Sequence, residues 1–411
     1  MMAQVFKIQA AIKNYDWGKV GMQSVVAQLQ KEGCNNFLVD EKTPYAEMWI
    51  GTHDSGPALI PTLKNIKLKE WLLENPQCLG DNIRKAFSHI TGLPFLFKVL
   101  SVNKALSIQA HPNKKTAEKL HQMYPDKYPD DNHKPEMAIA LTNFEALCGF
   151  RPLCEIQTFF VEIPELQKIV DSKIVEMFLN SKNNDALKPL FTAIMTCSPK
   201  TFQPILLQIL EYFKQKQFEN PLCESIHDLF LRTYDQYPGD IGCFCLFFLN
   251  YLKLKPGEAI FLAANVPHAY LSGDCIECMA CSDNVVRAGL TPKFRDVNTL
   301  CDILMYDCNK SEENKFLPIC DPGDPHVKIF DPPVPEFVVD SIELKKQETS
   351  YILKILQTAS VLLVVKGKGS YKYENEEGDL MPGSILFISS GCQVFLNPAV
   401  EFLMFRAYCN A

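Results

Sequence analysis

The chain carries no apolar run long enough to cross a bilayer. Its greasiest central stretch, IGCFCLFFLNYLKL, is fourteen residues long, whereas a spanning helix needs about 20. The opening segment, MMAQVFKIQAAIKNYDWG, lacks an apolar core of signal-peptide length. No basic run is present, and the net charge of −7 opposes nucleic-acid binding. A phosphorylated ligand would therefore need a few well-placed Lys or Arg residues. KGKGS at 366–370 lacks P-loop spacing and reads as a turn. Histidine is scarce, with eight in 411 residues and none after His326. Any imidazole-based metal site must draw its histidines from the first four fifths of the chain. A cytosolic protein without membrane or nucleic-acid partners is expected.

At 411 residues, two or three domains are expected, and 47% hydrophobic with 22% charged residues is ordinary for a globular protein. The sixteen cysteines suit a reducing compartment, most of them as small buried hydrophobes. CIECMAC (275–281) begins like an iron–sulfur run but has no fourth cysteine nearby. Strand parity turns Cys278 away from Cys275 and Cys281, so a structural role is expected.

The first 150 residues read as short strands and turns, with VFKIQAAIKNY and LPFLFKVLSV as strands. Short helices are expected at 66–73 and after Lys114. From 152 to about 237, apolar residues recur at three and four, as in Leu206, Ile209, Leu210 and Phe213, predicting a helical domain. GDIGCFCLFFLNYL is expected to add one more buried helix, capped by Asp240. Strands then return. LKPGEAIFL (254–262) is echoed by LMPGSILFI (380–388), each a Pro-Gly turn entering a strand. The echo suggests two related antiparallel barrels, the second without histidine beyond His326.

Four polar constellations interrupt apolar surroundings. In SIQAHPNK, alternate residues Ser107, Gln109 and His111 would line one strand face. NHKPEMAIAL places His133, Lys134 and Glu136 before an apolar strand. NVPHAYLSGDCIE carries His268 and Glu277. SDNVVRAGLTPK carries Asp283, Arg287 and Lys293. Gln109, His111, Glu136 and His268 would offer a zinc-like cation two nitrogens and two oxygens. The plainer reading of each is a polar strand end.

These segments, together with NYDWGK, PYAEMWIGTHDSGP and LKPGEAIFLAANVPHAY, resemble the type I phosphomannose isomerases. The similarity covers most of 14–151 and 240–296, in order. It implies a mainly β fold with helices: two cupin-type (jelly-roll) barrels plus an inserted helical domain. Residues 1–151 and 238–300 would form the metal-binding catalytic barrel, 152–237 the helical domain, and 301–411 a metal-free barrel. The resemblance implies one Zn²⁺ per chain on Gln109, His111, Glu136 and His268, and an active-site arginine at Arg287. It places Lys98, Ser107, His133, Lys134, Glu277, Asp283 and Lys293 in the pocket, with Trp17, Glu47 and Trp49 near it. A monomeric or weakly associating enzyme feeding mannose into GDP-mannose and glycosylation is implied.

The implied reaction interconverts mannose 6-phosphate and fructose 6-phosphate. It moves a proton between C2 and C1 through an enediolate-like state, so it needs a base and positive charge near the reacting oxygens. Arg287 cannot be the base and is assigned to anionic oxygens. Lys134, whose pKa would fall near a cation, Glu277 and His133 remain candidate bases, His133 for ring opening. Lys98, Ser107 and Lys293 are candidates for the phosphate. Lys98 could instead be an edge-strand lysine that guards against aggregation, and the tryptophans plain core. Two rival functions are a cupin metal-dependent oxygenase and a non-catalytic sugar-phosphate-binding cupin.

Overall fold

A computed structural model of the chain describes residues 4–34, 36–215, 218–345 and 350–410. The fold is mainly β with helices. A first antiparallel sheet runs, edge to edge, through Lys315–Phe316, Ala259–Leu262, Glu136–Ala140, His268–Ala280, Phe95–Val102, Glu47–Ile50 and Ala11–Lys13. The apolar run read as a strand is thus Phe95–Val102, buried at every position. It lies in mid-sheet, so Lys98 does not guard an edge.

His268–Ala280 is the hub of this unit. Residues 273–280 pair with Phe95–Val102, whereas 268–272 pair with Phe144–Phe150. Within the 268–272 stretch the register shifts at Leu271: Ser272 faces Glu145, but Tyr270 faces Ala146. This irregularity inverts side-chain parity along the strand. Tyr270 and Cys275 share one core inside the unit, whereas Ala269 and Leu271 face the helices and Ile276 and Cys278 face outward. Gly273 sits beside the shift at φ +106°, and a Cβ there would lie 2.4 Å from Asn143 O.

The helical segment follows the apolar periodicity. Leu206, Ile209, Leu210 and Phe213 are all buried on Pro199–Lys214. With Phe159, Phe191 and Phe230 they form a core that extends onto Ile108, Ala110, Ala269, Val286 and Ala288. The helices therefore back the strands that carry the polar constellations. GDIGCFCLFFLNYL departs from expectation. Asp240 does cap it, accepting from Gly242 N at 2.7 Å. The element it caps is a 3₁₀ segment, Ile241–Phe247, which gives way to the strand Leu249–Leu254. That strand pairs with Phe144–Phe150, so sheet pairing overrides the apolar run.

A second β unit combines a seven-stranded sheet (Val5–Ile8, Ile385–Ile388, Ser360–Lys366, Phe402–Tyr408, Val338–Leu344, Val327–Phe330, Ile319–Cys320) with a four-stranded one (Tyr351–Leu353, Val394–Pro398, Gly369–Tyr373, Glu376–Leu380). Alternate residues divide cleanly. Ile342, Leu344, Leu362 and Val364 fill its own core; Val339, Val361 and Leu363 pack with Val99, Ile139, Ile276 and Cys278 of the first unit. Cys278 therefore serves the interface between units while Cys275 serves an interior, as parity predicts for a structural role. The echoed turns agree, with Gly257 at φ +84° and Gly383 at φ +81°.

Both outer boundaries read from sequence shift. Val5–Ile8 lies on the second unit, pairing with Ile385–Ile388, and Phe6 stacks on Phe387. Lys315–Phe316 still belongs to the first sheet, against Ala259–Ile260. Strand pairing across hundreds of residues leaves no local mark in the sequence. Among the described residues, no helix is long and apolar enough to cross a membrane.

Candidate metal centre and active-site cavity

Three ligand-grade side chains converge inside the first unit. The donor atoms of His111, Glu136 and His268 lie within 4.8 Å of one another, and all three residues are buried. His111 follows the short strand Ile108–Ala110; Glu136 and His268 each begin a strand. His111 Nδ1 lies 2.8 Å from Asn284 O, and His268 Nδ1 lies 2.9 Å from Val266 O. A carbonyl only accepts, so each Nδ1 carries the proton and each Nε2 presents a lone pair. Those lone pairs face Glu136 Oε2 at 3.3 and 3.7 Å. His111 Nε2 is buried without any hydrogen-bond partner. Lone pairs facing a carboxylate oxygen repel unless a cation sits between them, so the donor set fits a divalent metal. Burial lowers both imidazole pKa values, that of His268 to about 4, which keeps the rings neutral for ligation.

Gln109 stands beside this set and could complete it. It pairs across the sheet with both His268 and Arg287. Its Nε2 lies 3.3 Å from His268 Nε2, while its Oε1 accepts from Ser107 Oγ at 2.9 Å. Rotating the amide by a half-turn presents the oxygen to the cation and lets Ser107 accept from the nitrogen. Burial works to raise the pKa of Glu136, but the Lys134 ammonium beside it draws it down, and the pKa lies well below the ordinary carboxylate range. Lys134 Nζ sits 3.1 Å from Glu136 Oε1.

Beside this centre lies a second charged cluster. Lys98 Nζ is 2.8 Å from Glu277 Oε2 and 3.5 Å from Glu47 Oε2. Trp49 Nε1 donates to the same Glu47 oxygen, and Lys98 sits 5.1 Å from the indole centre. Burial disfavours the Lys98 charge, yet Glu277 and Glu47 raise its pKa above the ordinary lysine range. Lys98 is thereby committed to two carboxylates, which argues against its role as a phosphate clamp. Burial raises the pKa of Glu277; Lys98 pulls it down, and Glu136 and Glu47 push it up. A carboxyl group whose pKa is raised this way holds a proton more readily than an ordinary carboxylate, which suits a proton carrier.

Both clusters open into one cavity of about 330 Å³. Trp17, Lys98, Ser107, Gln109, Lys134, Glu136, Glu277, Asp283, Arg287 and Lys293 all line it, as do Glu47 and Trp49. Arg287 is half-buried on Val286–Gly289, where burial lowers its pKa. Asp283 lies 3.4 Å from His53 Nε2, and chiefly through that contact its pKa falls below the usual range. Trp17 O receives the amides of Asn103 and Lys104, fixing the loop before Ser107. His133 is not among the lining residues. Its Nε2 meets Glu336 Oε1 at 2.5 Å, bridging toward the second β unit.

Sequence reading missed several wall residues. Tyr270, two residues after His268 on the same face, has a buried hydroxyl without a hydrogen-bond partner. Its i, i+2 spacing from a ligand was the available signal. Tyr237 enters from the end of the helical segment and donates to Ala105 O at 2.6 Å. No local pattern marks it.

Comparison with known proteins agrees with this geometry. Residues 5–153 match the family described as phosphomannose isomerase type I, catalytic domain, and residues 165–249 its helical insertion domain. The chain is 46% identical over 419 residues to the mannose-6-phosphate isomerase of Mus musculus, covering 99% of each chain. Identity to the Homo sapiens protein of that name is 44%, with 99% of each covered. Among solved structures, mannose 6-phosphate isomerase from Salmonella typhimurium bound to substrate (F6P) and zinc superposes with a TM-score of 0.86. It is 28% identical over the whole of both chains.

Proposed function

The chain belongs to the type I phosphomannose isomerase family, and from that premise we propose how its cavity works. The protein is a zinc-dependent aldose–ketose isomerase. It interconverts mannose 6-phosphate and fructose 6-phosphate by moving one proton between C1 and C2 through an enediolate-like intermediate. The observation that carries this reading is the convergence of two metal-ready imidazoles and Glu136 in a cavity that also holds Glu277, Lys134 and Arg287.

Gln109, His111, Glu136 and His268 would hold the ion. Bound there, Zn²⁺ supplies positive charge for the sugar oxygens that become negative. Glu277 takes and returns the proton at C1 or C2; its raised pKa brings acid and base forms within reach of each other. Lys98 stays protonated and keeps Glu277 ionised enough to accept. Lys134, tied to Glu136, is the alternative proton carrier. Arg287 neutralises anionic oxygen on the enediolate or the phosphate, a task that suits a permanently charged planar fork. Lys293 and Ser107, at the same cavity, are assigned to the phosphate. The aromatic walls from Trp17, Trp49 and Tyr270 exclude water from the enediolate. His133, linked to Glu336, acts through the junction of the two β units.

We read both β units as cupin-type barrels: the first catalytic, the second without metal and extending over 319–411 with 5–8 as an added strand. The helical segment stiffens the strands that carry Gln109, His268 and Arg287. The product feeds GDP-mannose and glycosylation from the cytoplasm, and the enzyme acts as a monomer.

The test is anaerobic interconversion of the two sugar phosphates by purified, chelator-stripped and zinc-restored protein. Activity lost with the metal and regained with zinc is expected. Folded, zinc-loaded protein without turnover would leave only a sugar-phosphate-binding module, and dependence on oxygen would point to an oxygenase.

A further inference from the structure

The second β unit encloses a cavity of about 250 Å³, lined in part by Asp321, Asp324, Asp340, Tyr351, Lys354 and Arg406. It shares no lining residue with the catalytic cavity. Its most unusual member is Arg406, only 1% exposed on the strand Phe402–Tyr408. Its Nε donates to Ser360 Oγ at 2.9 Å and its Nη1 to Lys354 O at 2.6 Å. Its Nη2 has no hydrogen-bond partner among the described residues, and no carboxylate of those residues lies within 4 Å of the guanidinium. A buried guanidinium without a paired anion is expensive, and a fold retains one where something else meets the charge.

The other charged groups at this cavity already have partners. Lys354 Nζ lies 3.0 Å from Asp321 Oδ2, and Tyr351 OH donates to Asp324 Oδ2 at 2.6 Å. Tyr408 OH donates to Asp340 Oδ1 at 3.1 Å. Burial pushes the Asp340 carboxyl up to about 6, with Arg406 drawing it back. Asp340, opposite Arg406 on the neighbouring strand, offsets part of its charge from beyond ion-pair distance, so the cavity offers a cation with no ion pair among the described residues beside several carboxylate oxygens with capacity to accept. A bare anion would satisfy the first and be repelled by the second. A polyol that bears an acidic group satisfies both, because its hydroxyls donate to the carboxylates. Val327, Ile342 and Leu353 supply an apolar wall for its carbon skeleton.

We propose that this cavity is a second ligand site, for a small polyol carrying one oxyanion, with the oxyanion on Arg406 and the hydroxyls toward Asp324 and Asp340. Phosphate and carboxylate share the recognition chemistry, since both accept the guanidinium fork. The site has no catalytic constellation and binds without turnover. The strands that carry Asp340 and Arg406 pack their other faces, through Val339, Phe405 and Ala407, against the catalytic unit.

Calorimetric titration of the zinc-loaded full chain tests this with mannose 6-phosphate, inorganic phosphate and gluconate. Two variants report on the site. Arg406→Met removes the cation. Gly323→Trp plugs the opening from an exposed loop, where a Cβ meets only Asp321 Oδ1 at 3.5 Å, and leaves Arg406 and its bonds in place. Wild type should bind one ligand per chain beyond the catalytic site, from the sugar phosphate, the sugar acid or both. That binding should weaken at least about tenfold in either variant, with isomerase activity retained in Gly323→Trp. The probe that binds identifies the acidic group. Equal stoichiometry in wild type and Gly323→Trp for every probe at about 10 mM would overturn the proposal. So would a second binding event that neither variant alters. Should Arg406→Met fail to fold, the plug variant decides alone.

Discussion

The backbone amide of Leu290 donates to Asp240 Oδ1 at 2.8 Å, and the same oxygen accepts from Gly242 N at 2.7 Å. One carboxylate therefore caps the segment that leaves the helical domain and anchors the loop that lines the catalytic cavity through Leu290, Thr291, Pro292 and Lys293. Leu290 needs that anchor, because its φ of +53° is left-handed, which costs a side-chain-bearing residue about 1–2 kcal/mol. Asp240→Ala should raise KM for mannose 6-phosphate several-fold with a smaller fall in kcat. It should also lower stability by about 1–2 kcal/mol. Asp240→Asn keeps the acceptor oxygen and should stay near wild type. Steady-state kinetics with urea unfolding checks both, and an unchanged KM in Asp240→Ala would detach the loop from substrate binding.

Lys98 moderates the proton affinity of Glu277. Removing the ammonium in Lys98→Met leaves burial, Glu136 and Glu47 all pushing that pKa upward. A base must be deprotonated to act, so the acidic limb of the kcat profile should move to higher pH. A shift of about 1–3 units is expected. Profiles from pH 5 to 9 read this directly; an unmoved limb would transfer the proton-carrying role to Lys134.

Metal-stripped protein should lose stability on mild acidification, and His268 sets the window. Its folded pKa of about 4 lies below the ordinary 6.5. Between those values the unfolded chain binds a proton that the folded chain refuses. Stability is therefore complete above pH 6.5 and drains as pH falls toward 4, by about 3 kcal/mol at most. His268→Asn lacks this titration. Urea unfolding at pH 7 and pH 4.5 should show a smaller loss in the variant than in stripped wild type.

Arg287→Lys should impair chemistry without unfolding the protein. Arg287 makes no ion pair among the described residues, and burial is the main cause of its lowered pKa. A lysine keeps the charge but not the planar fork. A kcat reduction of about 10²–10³ is expected, with thermal unfolding within a degree or two of wild type. Near-normal kcat would mean that charge alone suffices there.

Local chemistry made much of this protein readable from its sequence. Apolar periodicity marked the helical segment, Pro-Gly turns marked two strand entries, and Ser107–His111, Lys134–Glu136 and His268 stood out as polar residues in apolar company. The resemblance then joined them into one site, and the structure brings His111, Glu136 and His268 together with Gln109 beside them. Lys98 shows the limit. A lone lysine on an apolar strand reads as an edge guard or an anion clamp; its place in mid-sheet removes the first reading, and only its cross-strand partner, Glu277, argues against the second.

Element type follows from side-chain pattern and turn chemistry, which act over a few residues, so the sequence alone determined the strands, most helices and the candidate ligands. Contacts across hundreds of residues were decided by the tertiary structure. Val5–Ile8 joins a sheet more than 370 residues away because Phe387 offers Phe6 an apolar face. His133 turns to Glu336 for a similar reason of proximity. The sharpest case is the strand His268–Ala280. Read at a strict period of two, His268 and Glu277 fall on opposite faces, yet both serve the first unit's interior. The register shift at Leu271, in the pairing with Phe144–Phe150, makes that possible by adding one unpaired residue between Tyr270 and Ser272.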